Sequence, residues 1–412
     1  MSEWKKVKLG DYIDVLSGFA YKSKDFSDSG VPVIKIKNVS PPRITLEDLS
    51  YVPEAIAYQN PRYILKKGDV LIAMTGSHIN QIASVVGRVG RVRYDNITVL
   101  NQRVGKIVNK DESLSCLDFI YYYLSQYEVK VELAQKAGGA ANQANISPSD
   151  IKNLYFPCPP IEVQNKIATI LSRYDSLIEN YQKQIKLLEE SAQRLYKEWF
   201  IDLRFPGHEN TKIVDGVPEG WEKKKIFELG KVITGKTPST ANKANYGGDI
   251  PFITIPDMHS GIYPTCSQTL SKQGAESQLG KYIPENSLMV SCIGTAGLVC
   301  ISETLCQTNQ QINSLVLDND IKLYYMYFTF LSLKEHLNNI GSNGATMTNV
   351  NKSKFENIEV VVPIDSLLDS FNIIANNTFV KIKNLSLQIR HLIEARDRLL
   401  PKLMSGEINV NR

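Results

Sequence analysis

Trp4–Gly18 reads WKKVKLGDYIDVLSG, and Trp221–Gly235 reads WEKKKIFELGKVITG. The first stretch returns in the second half of the chain, and the echo continues in order with a drifting offset, as loop insertions and deletions produce in a duplicated domain. Pro32-Val-Ile-Lys-Ile matches Pro251-Phe-Ile-Thr-Ile, Tyr63-Ile matches Tyr282-Ile, Val70-Leu-Ile matches Leu288-Met-Val, and Asn101-Gln-Arg matches Asn309-Gln-Gln. Residues 118–200 then align with 322–404 at a nearly constant offset of 204, so the later part of each copy is kept while the middles diverge. A period this long exceeds the roughly 20–50 residues of solenoid repeats. Each copy is therefore expected to be a complete domain with its own core.

Within each copy, a β-rich part precedes a helical one. Residues 5–110 carry short β-like runs (PVIKIKNV, GDVLIAM, ASVVGRVGRVRY, VGKIVN) separated by Gly, Asn, Asp and Pro. Residues 116–137 read as a helix ending at Gly138-Gly139, and the second copy repeats it over about 321–340, ending at Gly341. A short strand in IKNLYFPCPP leads to Pro159-Pro160, where proline suits the first turn of a further helix.

That further helix bears an unbroken seam. Ile167, Leu171, Tyr174, Ile178, Tyr181, Ile185, Leu188, Ala192, Leu195 and Trp199 alternate steps of four and three, the a and d positions of a coiled coil. The second copy supplies Phe371, Ala375, Thr378, Ile382, Leu385, Ile389, Leu392, Arg396, Leu399 and Leu403. The natural partner of each helix is the other, although periodicity alone does not choose between parallel and antiparallel. The rival reading, in which each helix packs only on its own domain, calls for a broader apolar stripe.

Composition narrows the function classes. The 412 residues are 43% hydrophobic with a net charge of +4, which neither demands nor excludes a nucleic-acid partner. The charged start MSEWKKVKLGDY does not suit a signal peptide, and no run approaches the roughly 20 apolar residues of a membrane span, so a cytoplasmic protein without membrane contact is expected. Six cysteines and five histidines show no metal-ligand spacing, so no metal is expected and the thiols read as free. Basic residues cluster instead: Arg62–Lys110 holds nine against only Asp69 and Asp95.

Three further stretches match a known family. Pro160-Ile-Glu-Val-Gln-Asn-Lys-Ile167 is similar to its P-x-E-x-Q-x-x-I helix entry, Leu195–Phe205 (LYKEWFIDLRF) to its helix exit, and Arg398–Ile408 (RLLPKLMSGEI) to its C-terminal signature. Thr234–Ser239 (TGKTPS) resembles the start of its target recognition domain. Over essentially its whole length the chain resembles the specificity subunit of a type I restriction-modification system. The first copy departs at Ser17–Lys22 (SGFAYK), which lacks the Gly-Lys-Thr-Pro-Ser pattern.

The resemblance implies an α+β fold: two tandem β-rich target recognition domains, each followed by a long helix, with the two helices paired as an antiparallel coiled coil. The expected boundaries are recognition domain 1 over 1–158, spacer helix 1 over 159–205, a linker over 206–220, recognition domain 2 over 221–363, spacer helix 2 over 364–404, and a tail over 405–412. It also implies that the chain is not itself an enzyme and binds no cofactor directly. Double-stranded DNA would be read in two different halves, two methyltransferase subunits using S-adenosylmethionine would dock on the helices, and restriction subunits would supply ATP- and magnesium-dependent translocation and cleavage.

DNA contact also has a case from the residues. Arg88, Arg91 and Arg93 recur on a β-like run with Arg103 and Lys106 nearby, as phosphate neutralisation requires. Base reading needs amide or guanidinium groups on loops. In the first domain the candidates are the loop Thr75–Gln81 with Ser77, His78, Asn80 and Gln81, the triplet Asn101, Gln102 and Arg103, and Lys35, Lys37 and Asn38. In the second they are Lys236, Thr237, Asp257, His259, Thr295, and Asn309, Gln310 and Gln311 through Asn313.

Two other functions compete. Gly230–Thr237 (GKVITGKT) satisfies the phosphate-loop pattern, with Asp318 as a conceivable magnesium ligand. Against an ATPase, the surrounding residues do not read as a buried strand followed by a long helix, and the first copy lacks the motif. The other rival is a coiled-coil scaffold whose twin domains bind protein. No methyltransferase or nuclease motif is present, so catalysis is expected in partners.

Overall fold

The computed structural model describes residues 4–77, 85–138, 144–214, 216–342 and 348–410. The chain divides into two compact units, Met1–Glu179 with Arg390–Arg412, and Asn180–Ile389. Each long helix is thus shared, beginning in one unit and ending in the other.

The first unit is built on a six-stranded sheet in the order Ile13–Ser17, Val104–Asn109, Val70–Ala73, Val89–Arg91, Arg43–Ile44, Val39–Ser40. The central strand explains the layering. Val70 and Ile72 face a core closed by the helix Leu117–Leu124, whereas Leu71 and Ala73 face a second core with Ile34, Leu100 and Val104. All four are fully buried, as a continuous apolar run covered on both faces must be. A four-stranded sheet, Ser50–Val52, Val31–Ile34, Thr98–Leu100, Ile64–Leu65, lies alongside, with Val31–Ile34 and Thr98–Leu100 parallel. Lys6–Lys8 pairs antiparallel with Tyr155–Pro157 and ties the start of the domain to the approach to the long helix.

The second unit repeats this plan. Its sheet runs Gly230–Thr234, Ile312–Leu317, Leu288–Ser291, Val299–Ile301, beside a second sheet of Gln268–Leu270, Tyr246–Ile253 and Gln307–Thr308. Glu222–Lys225 pairs with Glu359–Val362 as Lys6–Lys8 does with Tyr155–Pro157. The helix expected over 116–137 is two helices, Leu117–Leu124 and Tyr127–Lys136. Ser125 Oγ and Gln126 Nε2 donate to the carbonyls of Tyr121 and Tyr123, and extended backbone at Gln126 ends the run. Its counterpart breaks likewise, into Leu323–Ser332 and Lys334–Ser342.

The long helices span Ile161–Tyr196, prolonged by a π-helical turn Lys197–Ile201, and Asp365–Met404. In the first unit the start of one meets the end of the other: Val163, Ile167, Ala168 and Leu171 share a core with Leu403 and Met404. In the second unit the roles reverse, with Ala192, Tyr196 and Trp199 packed among Leu367, Leu368, Phe371 and Ala375. The pairing is antiparallel in both. Of the expected seam, Ile167, Leu171, Ile178, Ile382 and Leu385 are buried, whereas Tyr174, Tyr181, Ile185, Leu188, Leu195, Ile389, Leu392 and Leu399 are half-buried. Near the ends Asp175, Tyr196 and Phe379 go deeper than their seam neighbours Tyr174, Leu195 and Thr378. There each helix packs against its domain as well as its partner, and the buried stripe widens accordingly.

Candidate nucleic-acid interface

In both units four segments converge at one end of the main sheet, and glycine makes the approach possible. A Cβ on Gly18 would stand 2.2 Å from the carbonyl oxygen of Asn101, and one on Gly235 2.2 Å from that of Asn309. The glycine closing each opening motif is therefore required by close backbone approach. Phe19 N–H donates to Leu100, and Lys236 N–H to Thr308. The next segment is added by Met74 N–H donating to Arg103 and Cys292 N–H donating to Gln311, and the last by Ile146 N–H donating to Met74 and Val350 N–H donating to Cys292. These bonds place Asn101–Arg103 and Asn309–Gln311 at the same position in the fold.

Several expected residues gather here. Gln102 and Arg103 are exposed, Asn101 is half-buried, and Ser77 is half-buried on the neighbouring loop. His78, Asn80 and Gln81 lie outside the described residues. In the second unit Thr237 Oγ1 donates to Gln310 Oε1 at 2.6 Å, Asn309 Nδ2 to Gln311 Oε1 at 3.1 Å, and Gln311 Nε2 to the Ile293 carbonyl at 3.4 Å. Gln310, Thr295 and Lys236 are exposed around this amide network. Asn313 is buried, accepting from Thr234 Oγ1 and donating to the Val350 carbonyl, so it braces the site from beneath. The array offers forked amides and hydroxyls without a nucleophile–base pair, which suits hydrogen-bond readout of base edges.

Other expected residues make contacts within the chain. Asn38 and Asp257, at equivalent positions, are buried and cap a helical turn: Asn38 Oδ1 accepts from Lys35 N–H, and Asp257 Oδ2 from Thr254 N–H and Oγ1. Asp257 Oδ1 also accepts from Ser267 N–H. The Thr-x-x-Asp spacing of Thr254 and Asp257 is a capping box, a pattern legible in the sequence. Lys35 donates to Ser50 Oγ at 2.8 Å and lies over the Phe26 ring; burial, then Lys37, lowers its pKa. Lys37 is exposed, 3.9 Å from Asp48, and His259 is exposed at the end of the Asp257 turn.

The arginine run divides. Arg88 is half-buried beside Lys130, whose pKa is lowered by burial and then by Arg88, so positive charge is concentrated there. Arg91 turns inward: its side chain is buried against the Tyr121 ring and bonds Asp118 at 2.6 Å. Arg93 also turns inward, to Asp175 and Glu179 on the first long helix. Each guanidinium is thus paired with a carboxylate of this chain, Arg91 with the partly exposed Asp118 and Arg93 with the buried Asp175. Lys106 pairs with Asp69 at 2.7 Å.

The phosphate-loop pattern is accounted for as well. Gly230–Thr234 is itself a strand paired with Ile312–Leu317, Lys236 N–H bonds Thr308, and the next regular element is a short turn at Lys243–Asn245. Asp318 pairs with Lys322 at 2.8 Å. Among the described residues no group of three or more His, Cys, Asp or Glu could hold a metal ion. Cys292, Cys300 and Cys306 are buried, and burial pushes each thiol up to about 12. No helix among the described residues is long and apolar enough to cross a membrane.

Comparison with known proteins identifies the family. The specificity subunit of type I restriction enzyme HindI from Haemophilus influenzae is 29% identical, covering 99% of this chain and all of the relative. That of MjaIX from Methanocaldococcus jannaschii is 28% identical, covering 99% and 94%. A crystal structure of a type I restriction-modification S subunit from M. genitalium has the same fold, with a TM-score of 0.58 at 17% identity over 97% of this chain and 96% of that one. The family model described as type I restriction modification DNA specificity domain matches residues 1–190 and again 218–366. Both halves of the chain therefore belong to the type I restriction-modification DNA specificity family.

Proposed function

We propose that this chain is the DNA specificity subunit of a type I restriction-modification complex. Each unit reads one half of a split, asymmetric target, and the helix pair sets the gap between the halves. The observation that carries this is the pair of matching sheet ends, alike in backbone and different in side chains: Asn101-Gln-Arg in one and Asn309-Gln-Gln in the other. Two readers on one scaffold with different recognition groups fit two different half-sites. The 36 residues of Ile161–Tyr196 extend about 50 Å at 1.5 Å per residue, enough to bridge the 34–36 Å between successive major-groove faces of a duplex.

Methylation and cleavage are assigned to partners: two methyltransferase subunits using S-adenosylmethionine, and restriction subunits using ATP and magnesium. Support for docking on the helices comes from the second one, where Ile373, Val380 and Leu387 recur every seven residues while remaining 60%, 47% and 39% exposed. Such a regular apolar stripe on an outer face is suited to a protein partner.

Adenine-methylation sequencing in a methylation-free host, with this gene and its neighbouring methyltransferase gene separately and together, tests the assignment. A split motif methylated only when both are present is expected. A continuous motif methylated by the methyltransferase alone would overturn it. Methylation in neither strain, with the chain's DNA binding insensitive to salt, would favour the protein-binding scaffold.

A further inference from the structure

Asp175, on the first long helix, is 2% exposed, and three other elements of the first unit converge on its carboxylate. Tyr122, from the helix Leu117–Leu124, donates its hydroxyl to Oδ2 at 2.7 Å. Arg93, just beyond the strand Val89–Arg91 of the recognition sheet, reaches the same oxygen at 3.4 Å and Glu179 at 3.0 Å. Arg396, on the second long helix, donates to Oδ1 at 2.8 Å. A single buried carboxylate thus joins the recognition sheet, the domain helix and both spacer helices.

Burying such charges costs so much hydration that the arrangement adds little net stability, and well-packed apolar residues commonly do as well. The second unit makes that substitution itself. At the duplicated positions Asp175 becomes Phe379, Arg396 becomes Ala192 and Tyr122 becomes Met326, all within one apolar cluster. The fold therefore does not require the charges. Apolar contact is non-directional, whereas a guanidinium on a carboxylate prescribes orientation.

From this contrast, and resting on the specificity-subunit reading, we infer that Asp175, held by Arg93 and Arg396, is a positioning residue for target recognition: it fixes how the first recognition sheet is seated on the helix pair, and thereby which gap between half-sites is accepted. Arg93, which the sequence suggests for DNA backbone contact, acts on target choice through the spacer.

The test is methylation sequencing of the full chain with its methyltransferase partner, for wild type, Asp175→Asn, and Asp175→Phe combined with Arg396→Ala, which installs the second unit's residues. Wild type should show one gap. The variants should keep both half-site sequences but also methylate neighbouring gaps, with selectivity for the original gap falling roughly ten- to hundredfold, the factor one charged hydrogen bond commands. An unchanged single gap in variants that melt as cooperatively as wild type overturns the inference. Uniform loss of methylation at all gaps by such variants overturns it too, since Asp175 would then govern activity and not spacing. If the double variant does not fold, the near-isosteric Asp175→Asn decides alone. A wild type that yields no split motif would defeat the specificity-subunit reading, and this inference with it.

Discussion

The two units share the order of the first four strands of the main sheet but fill their helix–domain junctions differently. Around Asp175 the first unit joins helix and domain with charged hydrogen bonds. At the corresponding level the second packs rings: Phe379 meets Tyr324, Tyr327 and Phe328 in tilted and edge-on contacts with centroids 4.2–5.9 Å apart. Strand order and backbone bonding have survived duplication because each ladder needs its partners. Side chains at the sheet ends and at the junction have diverged, which identifies where the fold leaves freedom for specificity.

The most severe way to disturb this arrangement is to insert four residues after Leu188 in the first long helix. The insertion displaces the seam on one side only, and methylation sequencing should show a changed gap or no methylation. An unchanged gap would eliminate the helix pair as a ruler. Next, Phe371→Ala empties a fully buried site among Tyr196, Trp199 and Phe200, and should lower stability by about 3–5 kcal/mol in urea unfolding. A loss below about 1 kcal/mol would show that the second junction does not depend on aromatic packing.

Smaller changes address the sheet ends. Gln102→Ala should relax discrimination in one half-site and Gln310→Ala in the other, each by about 1–3 kcal/mol, measured as relative affinity for singly mismatched duplexes. If either variant relaxed both halves, the units would not read separately. Arg103→Ala should flatten the plot of log affinity against log salt by about one unit, whereas Arg91→Ala should lower the melting temperature and leave that slope alone. The smallest effect is expected from Asp14→Asn. Lys152 and the Val15 N–H hold the Asp14 carboxyl below its ordinary 3.8, so its contribution is full above that pH and lost as pH falls through the lower folded value. The pair is exposed, so the difference between variant and wild type at neutral pH should be under about 1 kcal/mol and vanish in acid.

The sequence revealed most where the constraint was periodic or repeated. Duplication announced two domains, and the four-three spacing announced two long helices close to their observed bounds. It was least legible where one residue type serves two purposes. Alternation placed Arg91 and Arg93 on a strand-like run but could not say that both sides there are enclosed, by Tyr121 beneath one and the long helix beside the other. Asn38 and Asp257 offered groups suited to bases, yet capping a turn uses the same oxygens. Asp175 adjoins the seam position Tyr174 and reads as an ordinary helix carboxylate, because its partner Arg396 is far away in sequence. Gln310 and Thr237, by contrast, remain at the surface and bond each other, so the structure gives them no buried structural role.

The sharing of both long helices between units has a consequence for synthesis. The first unit's core is closed by Leu403 and Met404, each 2% exposed and packed with Leu171 and Ile167. Domains usually fold in the order they leave the ribosome. Here the portion made first remains without its last wall until Leu403 and Met404 have been translated, so a ribosome stalled before them holds an incomplete first unit. A product that stops before Leu403 therefore lacks part of the core of the unit that was made first.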